Sequence, residues 1–130
     1  MRPGKSQAPN DSAIRVFVYG TLRAGESNHA LLAGQTLLGP HQTPARYTLF
    51  DTGPYPAAVA DGSTALTGEV YAVDAACFRR LDQLEDYPVS YTREQIETPL
   101  GRAWIYLWIA AIRPSWRQLA GDWCRRELQE

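Results

Sequence analysis

Only one stretch of this chain carries a strong helical repeat. Asp74 stands where an N-cap belongs, and Cys77, Phe78, Leu81 and Leu84 recur at helical spacing behind it. Arg79, Arg80, Asp82 and Gln83 fill the opposite face, and Pro88 ends any continuation. A weaker segment near Ser27 or Asn28 predicts a short helix through His29 and Leu32 that stops at Gly34. The tail from Ser115 has faint helical character, interrupted by Gly121. So few helices cannot cover both faces of a parallel sheet.

The remaining pattern is β-rich. Ile14 to Tyr19 is a β-branched and aromatic run that breaks at Gly20. Strand segments follow around Thr36–Leu38, Arg46–Phe50, Ala57–Ala60 and Leu66–Val73, with turns at Asp51–Pro56 and Asp61–Gly62. Gly68 inside a strand suggests a bulge or a close backbone approach. Tyr91–Thr98 and Ala103–Ile109 read as a hairpin whose loop contains Gly101, with Trp104 and Trp108 on one face. The fold class expected is therefore α+β: a mixed, mostly antiparallel sheet curled into a barrel, with one or two flanking helices.

At 130 residues the chain suits one domain, expected over residues 13–130. Residues 1–12 are rich in Pro, Gly, Ser and Asn and predict a disordered tail without the apolar core of a signal peptide. The net charge is −1 and no basic cluster exceeds a pair, so neither nucleic acid nor membrane is expected as a partner. Two cysteines, Cys77 and Cys124, without CxxC spacing, and only two histidines argue against a metal site. Cys77 reads as a small buried hydrophobe. These features together predict a soluble, cytoplasmic chain.

Two segments can carry chemistry. Glycine at the strand end lets the N–H groups of Gly20, Thr21 and Leu22 converge on an anion, and Thr21 adds a hydroxyl. Read alone, the plain tight turn is the stronger reading, because strand–Gly–Thr sequences are common. Glu85 follows the last apolar helical residue, beside the negative end of the helix dipole. An unpaired carboxylate there is disfavoured by roughly 0.3–1 kcal/mol. Asp82 and Asp86 would add like charge and push its pKa toward the range of a general base. The plain alternative is that Glu85 points into water. His29 reads as packing or capping, Arg23 as an exposed arginine, Tyr91 as pocket or core, and Tyr55-Pro56 as a wall of the cleft.

In combination, Val16-Phe17-Val18-Tyr19-Gly20-Thr21-Leu22, Gly68-Glu69-Val70-Tyr71, and Leu81-Asp82 leading to Glu85 and Tyr87-Pro88 resemble the γ-glutamylcyclotransferase-like superfamily. Its small bacterial branch and the γ-glutamylamine cyclotransferases are the nearest in pattern; Asn28-His29 and Gly121-Asp122-Trp123 fit them too. The resemblance spans roughly residues 14 to 124. It implies a barrel-like mixed β fold and a cofactor-free cyclisation of a small-molecule γ-glutamyl amide to 5-oxoproline with release of the amine. It also implies Tyr19, Gly20, Thr21 and Leu22 as the substrate-binding loop, Glu85 as acid/base, and Tyr91 as a residue lining the site. The leaving amine and the oligomeric state stay open. So do two other classes of function: a non-catalytic module binding a glutamyl-like ligand, and an interaction domain with no pocket.

Overall fold

Strand parity sets the layers of this fold, as seen in a computed structural model that describes residues 14–128. In β1 (Ile14–Val18) alternate side chains point to opposite faces. Val16 and Val18 enter one buried cluster, with Tyr71, Val73, Cys77, Leu81, Tyr91 and Tyr106. Phe17 and the following Tyr19 enter the other, with Leu49, Ala58, Leu66, Ile105 and Trp123. Both faces of β1 are thus covered, which explains why its sequence is apolar almost throughout.

The other strands are β2 (Thr36–Gln42), β3 (Tyr47–Asp51), β4 (Pro56–Thr64), β5 (Thr67–Val73), β6 (Tyr91–Ile96), β7 (Ala103–Trp108) and β8 (Arg117–Leu119). Five of them form one sheet in the order β2-β5-β1-β7-β6; β4-β3-β8 form a second. Every pairing is antiparallel except β1 with β7, where Val16 faces Trp104. The class is α+β and mostly antiparallel, as expected. Among the described residues no hydrogen-bonded ladder joins the two sheets. Gly68 is the close approach that the sequence suggests: a Cβ there would collide with the Val18 carbonyl.

The helix α1 (Ala75–Leu84) runs where its apolar repeat predicts, and the Asp74 carboxylate caps it by accepting from the Cys77 N–H at 2.7 Å. Cys77 and Leu81 are fully buried against the first cluster. Truncating Leu81 to alanine would cost about 2–5 kcal/mol. The segment His29–Leu32 is a single 3₁₀ turn rather than an α-helix.

Two local expectations fail. Asp61-Gly62 is not a turn between strands; β4 runs on to Thr64, with a bulge where Tyr47 faces Thr64 but Thr48 faces Val59. The Thr48 hydroxyl holds this bulge by donating to the Asp61 carbonyl. The tail is not an α-helix: Arg117–Leu119 pair with β3, and Trp123–Leu128 wind as 3₁₀ turns. Trp123 buries its ring in the second cluster, which a helix-period reading of an exposed tail misses. The tail expected over residues 1–12 lies outside the described residues. No helix among the described residues is long and apolar enough to cross a membrane.

Candidate active site

The turn after β1 and the end of α1 meet in one pocket. Tyr19, Gly20, Thr21 and Leu22 line it from one side, and Tyr55, Pro56, Glu85, Tyr91 and Tyr106 from the other, around a narrow cavity of about 30 Å³. The two segments are far apart in sequence but adjacent in the fold, because α1 packs on the face of the sheet from which β1 emerges.

The loop is tied down at its far end. The Arg23 N–H donates to the Gly20 carbonyl at 3.0 Å and the Asn28 N–H to the Thr21 carbonyl at 2.8 Å. The N–H groups of Gly20, Thr21 and Leu22 have no acceptor among the described residues. Three such donors in consecutive residues beside a pocket suit an anion or a developing oxyanion. Asn28 does not cap its 3₁₀ turn with its side chain. Its amide instead donates to the Thr21 hydroxyl oxygen at 3.0 Å, leaving the Thr21 proton free for a ligand.

Arg23 corrects an expectation. It is not an exposed cation after a turn: its guanidinium is only 12% exposed and bridges Glu69 at 2.9 Å and Asp122 at 2.6 Å. It fastens the loop after β1 to β5 and to the C-terminal segment. His29 is structural, as expected. Its Nδ1 lies 2.9 Å from the Leu22 carbonyl, which can only accept, so this nitrogen carries the proton.

Glu85 is the residue that ends α1. Its N–H donates to the Leu81 carbonyl, and the next two N–H groups close the helix by donating to Gln83 and Asp82 carbonyls. The side chain turns inward. Burial raises its pKa to about 7. No hydrogen-bond donor among the described residues reaches the carboxylate. The neighbouring hydroxyls are all committed elsewhere: Tyr19 donates to the Tyr106 carbonyl at 2.5 Å, Tyr91 to the Pro56 carbonyl at 2.6 Å, and Tyr106 to Asp82 at 2.6 Å.

The cause of the shift therefore differs from the one the sequence suggests. Like charge from Asp82 and Asp86 is not its source. Asp82 is neutralised by Arg93, which grips it with Nε at 3.0 Å and Nη2 at 3.2 Å. Asp86 accepts from the Ser90 hydroxyl at 2.7 Å. What remains is loss of water around an unpartnered carboxylate. Burial, followed by the field of Glu85 at Tyr19, of Tyr19 and then Glu85 at Tyr91, and by the hydrogen bond to Asp82 at Tyr106, raises the pKa of all three tyrosines, so they stay neutral and act as donors.

Tyr106 is the pocket residue that sequence reasoning passed over. A signal for it existed, since the strand parity that groups Trp104 with Trp108 also places Tyr106 on their face. Tyr55 and Pro56 do wall the pocket, as expected.

The family model described as gamma-glutamyl cyclotransferase, AIG2-like, matches residues 16–125, almost the whole described chain. The protein belongs to this family. A relative from Vibrio cholerae is 50% identical over 111 residues, covering 85% of this chain and 96% of its own. The Escherichia coli gamma-glutamylcyclotransferase family protein YtfP is 36% identical over 114 residues, covering 88% of this chain and 99% of its own. Among solved structures, a Pyrococcus horikoshii protein superposes with a TM-score of 0.76 at 32% identity, over 89% of this chain and 94% of that one. The solution structure of E. coli YtfP gives 0.71 at 36% identity, over 88% and 99%. Membership of the gamma-glutamyl cyclotransferase family makes this an enzyme of that type and the fold a shared one. It does not by itself name a substrate.

Proposed function

We propose that this protein cyclises a small γ-glutamyl amide to 5-oxoproline and frees the amine, with Glu85 as general acid and base. The observation that carries the reading is the unpartnered Glu85 carboxylate, with a pKa raised to about 7, in the same pocket as the 19–22 loop. A base with that pKa is matched to proton transfer near neutral pH.

The substrate brings its own nucleophile, so no serine or cysteine attacks. Glu85 takes a proton from the α-ammonium, and the freed amine attacks the γ-carbonyl carbon. The carbon–nitrogen bond of the new ring forms, and the carbonyl becomes an oxyanion. Collapse breaks the amide bond to the leaving nitrogen. Two protons leave the α-nitrogen and two arrive on the leaving nitrogen, so Glu85 returns to its starting state and the ring nitrogen keeps one hydrogen. The N–H groups of Gly20, Thr21 and Leu22 hold the substrate carboxylate or the oxyanion. Tyr19, Leu22 and Tyr91 hold the glutamyl chain bent, which supplies most of the advantage of an intramolecular reaction.

The test is release of 5-oxoproline from a panel of γ-glutamyl compounds. Tight binding of such a compound without any 5-oxoproline would instead mark a binding module on the same fold.

A further inference from the structure

Arg93 never touches the pocket, yet it is wired to it. It stands on β6 two residues after Tyr91, and therefore on the same face of that strand. Its guanidinium lies over the rings of Tyr87 at 4.2 Å, Phe78 at 4.5 Å and Trp104 at 4.7 Å. From that slot it holds Asp82 through two hydrogen bonds, with the arginine side chain 17% exposed and the aspartate 20%. Asp82 Oδ1 also accepts from the Tyr106 hydroxyl, and the Tyr106 carbonyl accepts from the Tyr19 hydroxyl. A chain Arg93–Asp82–Tyr106–Tyr19 thus runs from the flank of α1 to the pocket, and its last two members line the pocket with Glu85.

Stability alone is a weak reason for this arrangement. A largely buried ion pair adds little over an apolar pair of the same shape, whereas removing one partner leaves a costly lone charge. Its position is the informative part. Asp82 lies three residues before Glu85, and residues at that spacing are neighbours on a helix surface. The other groups around Glu85 are Tyr19 from the loop after β1, Tyr55 before β4, Tyr91 on β6 and Tyr106 on β7, with Asp86 next to it in the chain. None of these is a cation. Arg93 is therefore the positive charge of this network, and it reaches Glu85 only by cancelling Asp82.

We propose that Arg93 is a positioning residue for the cyclisation: through Asp82 it locks the last turn of α1 to Tyr106, and it cancels a negative charge one helical turn from Glu85. This rests on the reading of Glu85 as general acid and base. The two halves of the ion pair then have opposite effects on that base. Without the Arg93 charge, Asp82 repels the ionised form of Glu85, so deprotonation moves to higher pH. Without the Asp82 charge, the guanidinium favours the ionised form, and deprotonation moves to lower pH. Loosening of α1 is common to both losses and has no such sign.

The test measures the acid limb of the kcat/KM profile for 5-oxoproline release and, independently of activity, the carboxyl NMR titration of Glu85, assigned by its absence in Glu85→Gln. Arg93→Gln is expected to raise both midpoints by about 0.5–1 pH unit, and Asp82→Asn to lower them by a similar amount. The double variant Arg93→Gln/Asp82→Asn should return to within about 0.3 of the wild type, since no charge is left uncancelled. Arg93→Lys keeps the charge and loses the two-pronged grip, so its midpoint should stay in place while kcat falls about three- to tenfold at a similar KM. Midpoints that move the same way in both single variants, or in neither, would overturn the inference, as would a lysine variant that matches Arg93→Gln. If Arg93→Gln does not fold, the opposite sign expected of Asp82→Asn and the lysine variant still decide. Absence of 5-oxoproline from the wild type would overturn the reaction instead, and the Glu85 titrations would still show whether Arg93 acts on that carboxylate.

Discussion

The Tyr91 hydroxyl donates a 2.6 Å hydrogen bond to the carbonyl of Pro56, tying the first residue of β6 to the first residue of β4 across the pocket. Both residues line the pocket, so this one bond holds two of its walls in register. Tyr91→Phe keeps the ring and leaves the buried carbonyl without its partner. A loss of about 1–3 kcal/mol in stability is expected, together with weaker ligand binding. Denaturant unfolding and calorimetry would show both; an unchanged midpoint would mean that the bond contributes nothing to the wall.

Gly20 depends on the same proline. Its φ lies outside the left-handed region, and a Cβ added to it would stand 2.5 Å from Pro56 Cγ and 2.9 Å from Cδ. The glycine is therefore required by the pocket wall, whereas the sequence suggests either a positive φ or direct approach to substrate. Gly20→Ala should cost about 1–3 kcal/mol through overpacking. Affinity and melting temperature should fall together, since the displaced Pro56 carries the Tyr91 contact with it. Lost affinity at an unchanged melting temperature would show instead that the methyl blocks the ligand and spares the wall.

Burial of Glu85 predicts a pH dependence of stability with a definite sign. Its folded pKa is raised from 4.5 to about 7, so between these values the folded state holds a proton that the unfolded state has lost. Stability from this group is therefore complete below pH 4.5 and declines as pH rises to about 7, by a total on the order of 3 kcal/mol. Glu85→Gln removes the effect. Its unfolding free energy should exceed that of the wild type at pH 8, with the gap closing by pH 4.5. A constant gap across that range would place the carboxylate in water. Turnover moves the opposite way with pH, because the base must be ionised, and should rise through pH 7.

Much of this was legible in the sequence where the signal is local. The Asp74 cap, the Cys77–Leu84 stripe and the Ala103–Trp108 strand each depend on neighbours in the chain, and each lies where its pattern indicates. The resemblance in the Tyr19–Leu22 and Glu85 segments brings the two halves of the pocket to mind, and the fold brings them together. Long-range partners had no such signal. Arg23 meets Asp122 across 99 residues, and Arg93 neutralises Asp82 from another element, so the exposure of the first and the charge of the second were misjudged. The cause of the Glu85 shift was misread for the same reason: nearby acids are visible in the sequence, but their partners and the burial are not.

The central claim is that Glu85 moves the protons of the cyclisation. Glu85→Gln preserves size and removes the base, and the three N–H groups of the 20–22 loop remain. The decisive measurement is the rate of 5-oxoproline release by this variant and the wild type, from a γ-glutamyl amide that both bind. The rate should drop by a factor on the order of 10²–10⁴ with the fold and the affinity retained. Turnover at the wild-type rate would contradict the account.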